Sequence, residues 1–364
     1  MAKRVGVDKW LFGVVLMLVL FGLVMVFSAS AVMAKAQYGS PYPYVAKQAM
    51  YALLGMGALT ILMRIDYRRY NTPRVVFPAM AITTVLLMSV FAMHALNNTH
   101  RWIKFGSFFT FQPSELAKPM VVLFLAYFLQ TRIHKMDDWR GTVIRAALPP
   151  LVFIALILKE PDLGTAMVCA AVTMLMLYLA GLQVKYIGFA ILAASPVMYY
   201  MLFRVPWRRA RMLAFVNPDA DPRGTGFHIL QSLIAVGTGG FRGLGLMEGR
   251  QKLYFLPEAW TDFIYANISE ELGLLGALAL VGLFVMFGYR GMRAAFLATD
   301  PFARFLAFGI TTAVLIQAFF NISVTLALLP TKGITLPFIS FGGTSLFVTL
   351  AGMGVLLNIT REIE

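Results

Sequence analysis

Ten apolar runs, at residues 10–34, 44–63, 75–94, 114–131, 143–158, 162–180, 184–203, 262–289, 304–329 and 337–360, leave little of this chain for anything but crossing a membrane. A helix needs about 20 consecutive apolar residues to span the hydrocarbon layer. Backbone groups in that layer must pair within their own segment, so each run reads as a helix. Only 13% of the 364 residues are charged, about half the share of an ordinary soluble domain. No stretch has the composition of a separate soluble domain. The expected architecture is an all-α polytopic integral membrane protein of about ten transmembrane helices, one domain over residues 1–364. The first run is about 25 residues long, whereas a signal-peptide core has 7–15, so it reads as an uncleaved first helix.

An even number of crossings puts both termini on one side. Arg64, Arg68, Arg69, Arg74, Arg132, Arg140, Arg145, Lys185, Arg290, Arg293 and Arg304 then fall in segments on the side of the N-terminus. The short loops of the other side carry Lys35, Lys47, Arg101, Lys104, Lys159 and Lys332. Basic residues concentrate on the cytoplasmic side, so the termini are expected there. The polar stretch 204–261, between the seventh and eighth helices, becomes one long extracytoplasmic loop. It is basic, against the rule, which weakens for long loops. It is either a solvated, headgroup-binding loop or an anion site for a phosphate-bearing ligand. Pro206-Trp207-Arg208-Arg209 suits the headgroup layer.

The net charge of +14 follows this topology, so nucleic acid is not expected as a partner. Cys169 lies alone inside an apolar run and has no disulfide partner. The histidines His94, His100, His134 and His228 are scattered, without the HExxH or CxxC spacing of a transition-metal site. The glycines between 237 and 249 match neither a dinucleotide fingerprint nor a P-loop. They read as flexible backbone beside a substrate, or as an irregular segment that needs positive φ.

The acids near the outer border carry the chemical interest. Asp262 follows Leu256-Pro257-Glu258 and opens the eighth run. It is either a helix N-cap or a general base where water meets lipid. Glu270 and Glu271 lie deeper. On a continuous helix Glu270 is about 12 Å along the axis from Asp262, beyond the ~5–9.5 Å of paired-carboxylate glycosidases. Intramembrane acids are costly alone, so Glu270 and Glu271 are expected to pair with a cation or hydrogen-bond donor. Ser114 reads as an N-cap for the fourth helix, and Glu115 and Lys118 can pair at i,i+3. Asp162 either caps the sixth helix or presents a carboxylate to an outward-facing polar cavity.

Taken in order, Arg101-Trp102-Ile103, Gln112-Pro113-Ser114-Glu115 with Lys118, Glu160-Pro161-Asp162-Leu163-Gly164-Thr165, Thr261-Asp262-Phe263, Glu270-Glu271-Leu272-Gly273 and Leu336-Pro337-Phe338-Ile339-Ser340-Phe341-Gly342-Gly343 resemble the SEDS family (shape, elongation, division and sporulation). That family includes FtsW, RodA and SpoVE. Each motif is weak alone; the ordered set covers nearly the whole chain. The segment 329–337 is more similar to the FtsW and SpoVE branch than to RodA. One departure is Trp260, where many relatives have His.

The resemblance implies a peptidoglycan glycosyltransferase that polymerises lipid II on the outer face of the bacterial cytoplasmic membrane, at the division septum. It implies a class B penicillin-binding protein and other division-machinery membrane proteins as partners. It places the family's catalytic aspartate on Asp262. Arg101, Glu115, Lys118 and Asp162 match further family positions, and Arg242 and Lys332 are added as cations for the substrate. The chemistry agrees. The acceptor is an alcohol whose proton one carboxylate can take. The leaving lipid pyrophosphate needs charge neutralisation, which Arg, Lys or a divalent cation such as Mg or Mn supplies. A lipid flippase or transporter, a RodA-type elongation polymerase and a non-catalytic scaffold are the rival readings.

Overall fold

The computed structural model describes residues 6–92, 101–105, 109–133, 138–253, 255–257 and 259–362. Glu258, the three histidines His94, His100 and His134, and the end of the third apolar run lie outside the described residues.

Twelve α-helices and one short hairpin are described. They are α1 (Lys9–Tyr38), α2 (Pro43–Leu62), α3 (Pro73–Ser89), the hairpin β1 (Ile103–Phe105) and β2 (Phe109–Phe111), α4 (Pro113–Leu129), α5 (Arg145–Lys159), α6 (Leu163–Leu179), α7 (Val184–Phe203), α8 (Pro206–Val216), α9 (Phe227–Gly239), α10 (Ile264–Leu297), α11 (Pro301–Thr325) and α12 (Gly343–Thr360). Proline opens α2, α3, α4, α8 and α11. Its fixed φ suits the first helical turn, where its missing N–H costs nothing. β1 and β2 pair antiparallel, with Ile103 opposite Phe111.

Among the described residues, each of the ten apolar runs contains an α-helix. Eight helical segments are long and apolar enough to cross a membrane. The other two, α4 and α6, have 17 residues each. They stand inside the bundle against α11 and against each other, so the protein, rather than lipid, surrounds much of their length. α7 is the opposite case, with no buried residue.

The start of α1 and the end of α12 meet at one end of the bundle. The Asp8 N–H donates to Thr360 Oγ1 at 3.2 Å, and the Asp8 carboxylate pairs with Arg290 at 2.6 Å. Asn358 joins Met63 and Tyr67 nearby. The start of α1 and the end of α12 therefore share a side, as an even number of crossings requires. Motif residues from Arg101 to Asp262 gather at the opposite end.

Residues 204–261 are not a plain loop. They hold α8 and α9. α9 is apolar but has only 13 residues, about 20 Å of helix. It packs on α10, and Ala235 joins Leu256, Ala259, Phe263, Ala266 and Val324 in a small second core.

α10 is broken at Gly273, whose φ of 66° and ψ of −165° are non-helical. A break inside a spanning helix frees backbone groups that hydrocarbon cannot satisfy. The glycine-rich segment supplies the partners. Leu244 and Gly245 N–H donate to the Glu270 and Glu271 carbonyls at 3.0 Å, while Gly240 and Phe241 carbonyls accept from Leu274 and Leu275 at 2.9 and 3.3 Å. A side chain at Gly243 or Gly273 would run into the opposing backbone. Of the two readings of these glycines, the structure supports the irregular segment: Gly240, Gly243 and Gly245 have φ of 53°, 81° and 117°.

The two intramembrane acids have the partners their burial demands. Glu271 pairs with Lys252 at 2.6 Å and accepts hydrogen bonds from Ser28 Oγ and the Met247 N–H. Glu270 accepts from the Arg250 and Gln251 N–H groups at 2.8 and 3.2 Å.

Candidate active site

Asp262 lies two residues before α10, in a turn. The residue at the helix's N-cap position is Phe263, with no side-chain capping bond. Asp262 is therefore not the cap. Its turn is held from below and from the side. Leu256, Ala259 and Phe263 are buried in the second core. Asn321 on α11 donates to the Asp262 carbonyl at 2.8 Å and to the Ile334 carbonyl at 2.7 Å. Ser340 Oγ donates to the Thr261 carbonyl at 2.6 Å, and the Phe341 N–H to the Trp260 carbonyl at 2.9 Å. These bonds use backbone carbonyls and fix the course of the chain. Gly333 faces that carboxylate closely: a Cβ there would come to 2.9 Å from Asp262 Oδ2.

Trp260 has a packing role. Its ring lies 5.3 Å from Tyr44 of α2, which also meets Phe341 edge-on at 5.4 Å. The aromatic group clamps the turn against the segment that carries Gly333.

Arg211 acts on this carboxylate directly, and further cations neighbour Arg211. α8 presents Arg208 and Arg211 at i,i+3, and both guanidinium groups lie over the Trp207 ring, at 5.0 and 5.2 Å. Such contacts hold a cation in place without cancelling its charge. Desolvation lowers the Arg211 pKa; the Asp262 carboxylate raises it and Arg101 lowers it again. Burial and then Arg101 lower that of Arg208. Lys332, half-buried beside Met167, is pushed down to about 8 by burial and by Arg208. The charges of Arg101, Arg208, Arg211, Lys332 and Asp262 thus act on one another as one group.

Below this group is a polar floor. Asp162 caps α6: its carboxylate accepts from the Thr165 N–H at 3.2 Å, Thr165 Oγ1 at 2.9 Å, Gln112 Nε2 at 3.0 Å and Ser114 Oγ at 3.2 Å. Ser114 therefore serves Asp162, and Gln112 occupies the N-cap position of α4 in its place. Glu115 and Lys118 pair at 2.7 Å, both about nine-tenths buried, and Lys118 also donates to Gln317 Oε1 at 2.5 Å. Gln317 in turn donates to the Thr335 carbonyl at 2.9 Å. Arg101 Nε donates to the Glu160 carbonyl at 3.0 Å, and its Nη2 to that of Pro161.

Of the expected site residues, Arg101 and Lys332 join Asp262. Glu115, Lys118 and Asp162 lie beneath, tied to protein partners. Arg242 is elsewhere: exposed, at the Gly273 break. The helical segment 264–272, roughly 14 Å long, separates it from Asp262. Arg211, not among the expected residues, is coupled to Asp262, and Arg208 lies beside it on α8. Their i,i+3 spacing after Pro206 was the available signal. Among the described residues no three His, Cys, Asp or Glu side chains come together. The cationic surroundings of Asp262 suit an anion.

A family model for FtsW, RodA and SpoVE, described as "Cell cycle protein", matches residues 8–364. A relative from Geobacter metallireducens, named "Probable peptidoglycan glycosyltransferase FtsW", is 44% identical over 94% of this chain and 92% of its own length. Among solved structures, one described as "Structural coordination of polymerization and crosslinking by a peptidoglycan synthase complex" matches with a TM-score of 0.79 and 26% identity, covering 98% of each chain. The rod shape determining protein RodA of Thermus thermophilus matches with a TM-score of 0.71 and 25% identity, over 98% of this chain and 97% of its own.

Proposed function

This chain belongs to the FtsW/RodA/SpoVE family of cell cycle proteins, and we propose from that premise that it is a multi-pass membrane peptidoglycan glycosyltransferase that polymerises lipid II. The observation that carries the proposal is one carboxylate, Asp262, held by its backbone within the field of Arg211, which belongs to a linked set of cations with Arg101, Arg208 and Lys332. That arrangement suits a single proton acceptor beside an anionic leaving group.

In the reaction, the hydroxyl of one glycan attacks the anomeric carbon of the other. Its proton passes to Asp262, and the bond from that carbon to the lipid pyrophosphate breaks. The electron pair leaves with the pyrophosphate. Direct displacement inverts the anomeric centre. A positioned base contributes roughly 10²–10⁴-fold, and each preorganised charge on the departing oxygens about 10²–10³-fold. Glu115, Lys118 and Asp162 brace the floor. Arg101, Arg208, Arg211 and Lys332 bind the pyrophosphate.

The basic segments at the end that holds both termini favour a cytoplasmic position for that end, with the site outside. The higher identity to the FtsW relative than to RodA supports the division branch and the septum. The likeness to a peptidoglycan synthase complex supports a class B transpeptidase as partner. The test is glycan-chain synthesis from purified lipid II, with and without such a partner, run beside a liposome assay of lipid II crossing. Polymer supports the proposal. Crossing without polymer favours a flippase and overturns it.

A further inference from the structure

Glu160 and Asp162, two residues apart in the turn between α5 and α6, live in opposite surroundings. The Asp162 carboxylate accepts four hydrogen bonds. Glu160 is fully buried, and neither of its carboxyl oxygens has a hydrogen-bond partner. A buried carboxylate with no donor is strongly disfavoured, and such a group takes its neutral form instead. Burial, then Asp162, pushes Glu160 up to about 8, and Arg101 pulls it only part of the way back. Among the described residues, those two are the charged groups that act on it.

Arg101 approaches Glu160 closely but bonds to its backbone. One N–H goes to the Glu160 carbonyl and another to the Pro161 carbonyl. A guanidinium has five N–H donors and a permanent charge. Two donors are spent on neutral acceptors, so the charge is anchored without being cancelled. An ionised Glu160 would draw the same guanidinium into an ion pair and remove it from any arriving anion.

We propose that Glu160 is a positioning residue, a neutral buried acid whose main chain holds Arg101 while its side chain leaves the guanidinium charge free for the substrate's pyrophosphate. The inference rests on the polymerase reading above and adds to it a group that touches no reacting atom.

The test has two readouts on the full-length protein. Infrared spectra should show a buried carboxylic-acid C=O band at pH 7 that is missing in Glu160→Gln and fades in the wild type as pH rises through about 8. Should the glutamine variant fail to fold, Glu160→Asp should shift the band. For polymerisation, a group at about 8 loses about tenfold of its protonated fraction between pH 7 and 9. The ratio of Glu160→Gln activity to wild-type activity should therefore rise about tenfold across that range. Lys332 is common to both proteins and cancels in the ratio. A flat ratio, or no acid band at pH 7, overturns the proposal. A wild type that makes no polymer at any pH refutes the polymerase reading itself, and the band still reports the state of Glu160.

Discussion

Replacing Lys252 with methionine should destabilise the fold by about 3 kcal/mol, and a second substitution at Glu271 should restore much of the loss. Lys252 and Glu271 pair at 2.6 Å with side chains 2% and 0% exposed. Removing one partner of such a pair strands a buried charge, at a cost of about 3–5 kcal/mol. The lower end applies because Glu271 keeps three donors: Ser28 Oγ at 2.7 Å, the Met247 N–H at 3.0 Å and Asn267 Nδ2 at 3.3 Å. Glu271→Gln alone leaves Lys252 with Ser28 Oγ at 3.0 Å and should cost a similar amount. The double variant removes both charges and should lose only about 1 kcal/mol, since a neutral pair of similar volume often replaces a buried ion pair at little cost. The two losses should therefore be far from additive. Apparent melting in detergent, followed by the fraction of protein that stays monodisperse after heating, ranks the four proteins. Each single variant should fall by roughly 6 °C, at about 2 °C per kcal/mol for a chain of this size. A double variant that falls by the sum of the singles would refute the argument that the pair, rather than two separate packing contacts, holds residues 247–252 against α10.

The other perturbations separate site from scaffold. Arg211→Ala should lower polymerisation by about 10²–10³-fold, while Arg242→Ala, at the Gly273 break, should stay within a few-fold; equal losses would contradict the placement of these residues. Lys332 has a pKa lowered from 10.5 to about 8, so it is charged below that pH and neutral above it. The apparent KM for lipid II should therefore rise as pH passes through about 8, and Lys332→Arg should move the rise to higher pH. The same shift makes the unfolded chain the stronger proton binder between about 8 and 10.5, so this group's contribution to stability increases with pH across that window. Gly333→Ala puts a carbon 2.9 Å from Asp262 Oδ2, and kcat should fall at least about tenfold with little change in melting, because a displaced base costs transition-state alignment more than stability.

The membrane helices were legible because lipid imposes a length and a composition on any segment that crosses it. Polar segments that fold back leave no such signature. α8 and α9 are too short or too mixed to stand out in hydropathy, so residues 204–261 read as loop. The break at Gly273 hides within a continuous apolar run, and only the pairing of residues 240–245 with its freed backbone groups reveals it. Asp262 was legible as a border acid, but its exclusion from the N-cap depends on where α10 begins. Several cations in 204–261 were equal candidates by charge. The fold selects Arg208 and Arg211, which one helix face carries to Asp262, and leaves Arg242 some 14 Å of helix away. Asp162 caps α6, one of its two expected readings, and Ser114 leaves its expected place as the N-cap of α4 because its hydroxyl donates to that carboxylate instead. Trp260 was unaccountable as a catalytic position and is accounted for by its packing on Tyr44.

The most direct measurement is the initial rate of glycan synthesis by purified Asp262→Asn protein, alongside its binding of lipid II. The substitution keeps shape and hydrogen-bonding capacity but cannot accept the proton. The account predicts a loss of at least about 100-fold in rate, with lipid II binding and melting near wild type. An Asp262→Asn protein that polymerises within a few-fold of wild type would contradict it.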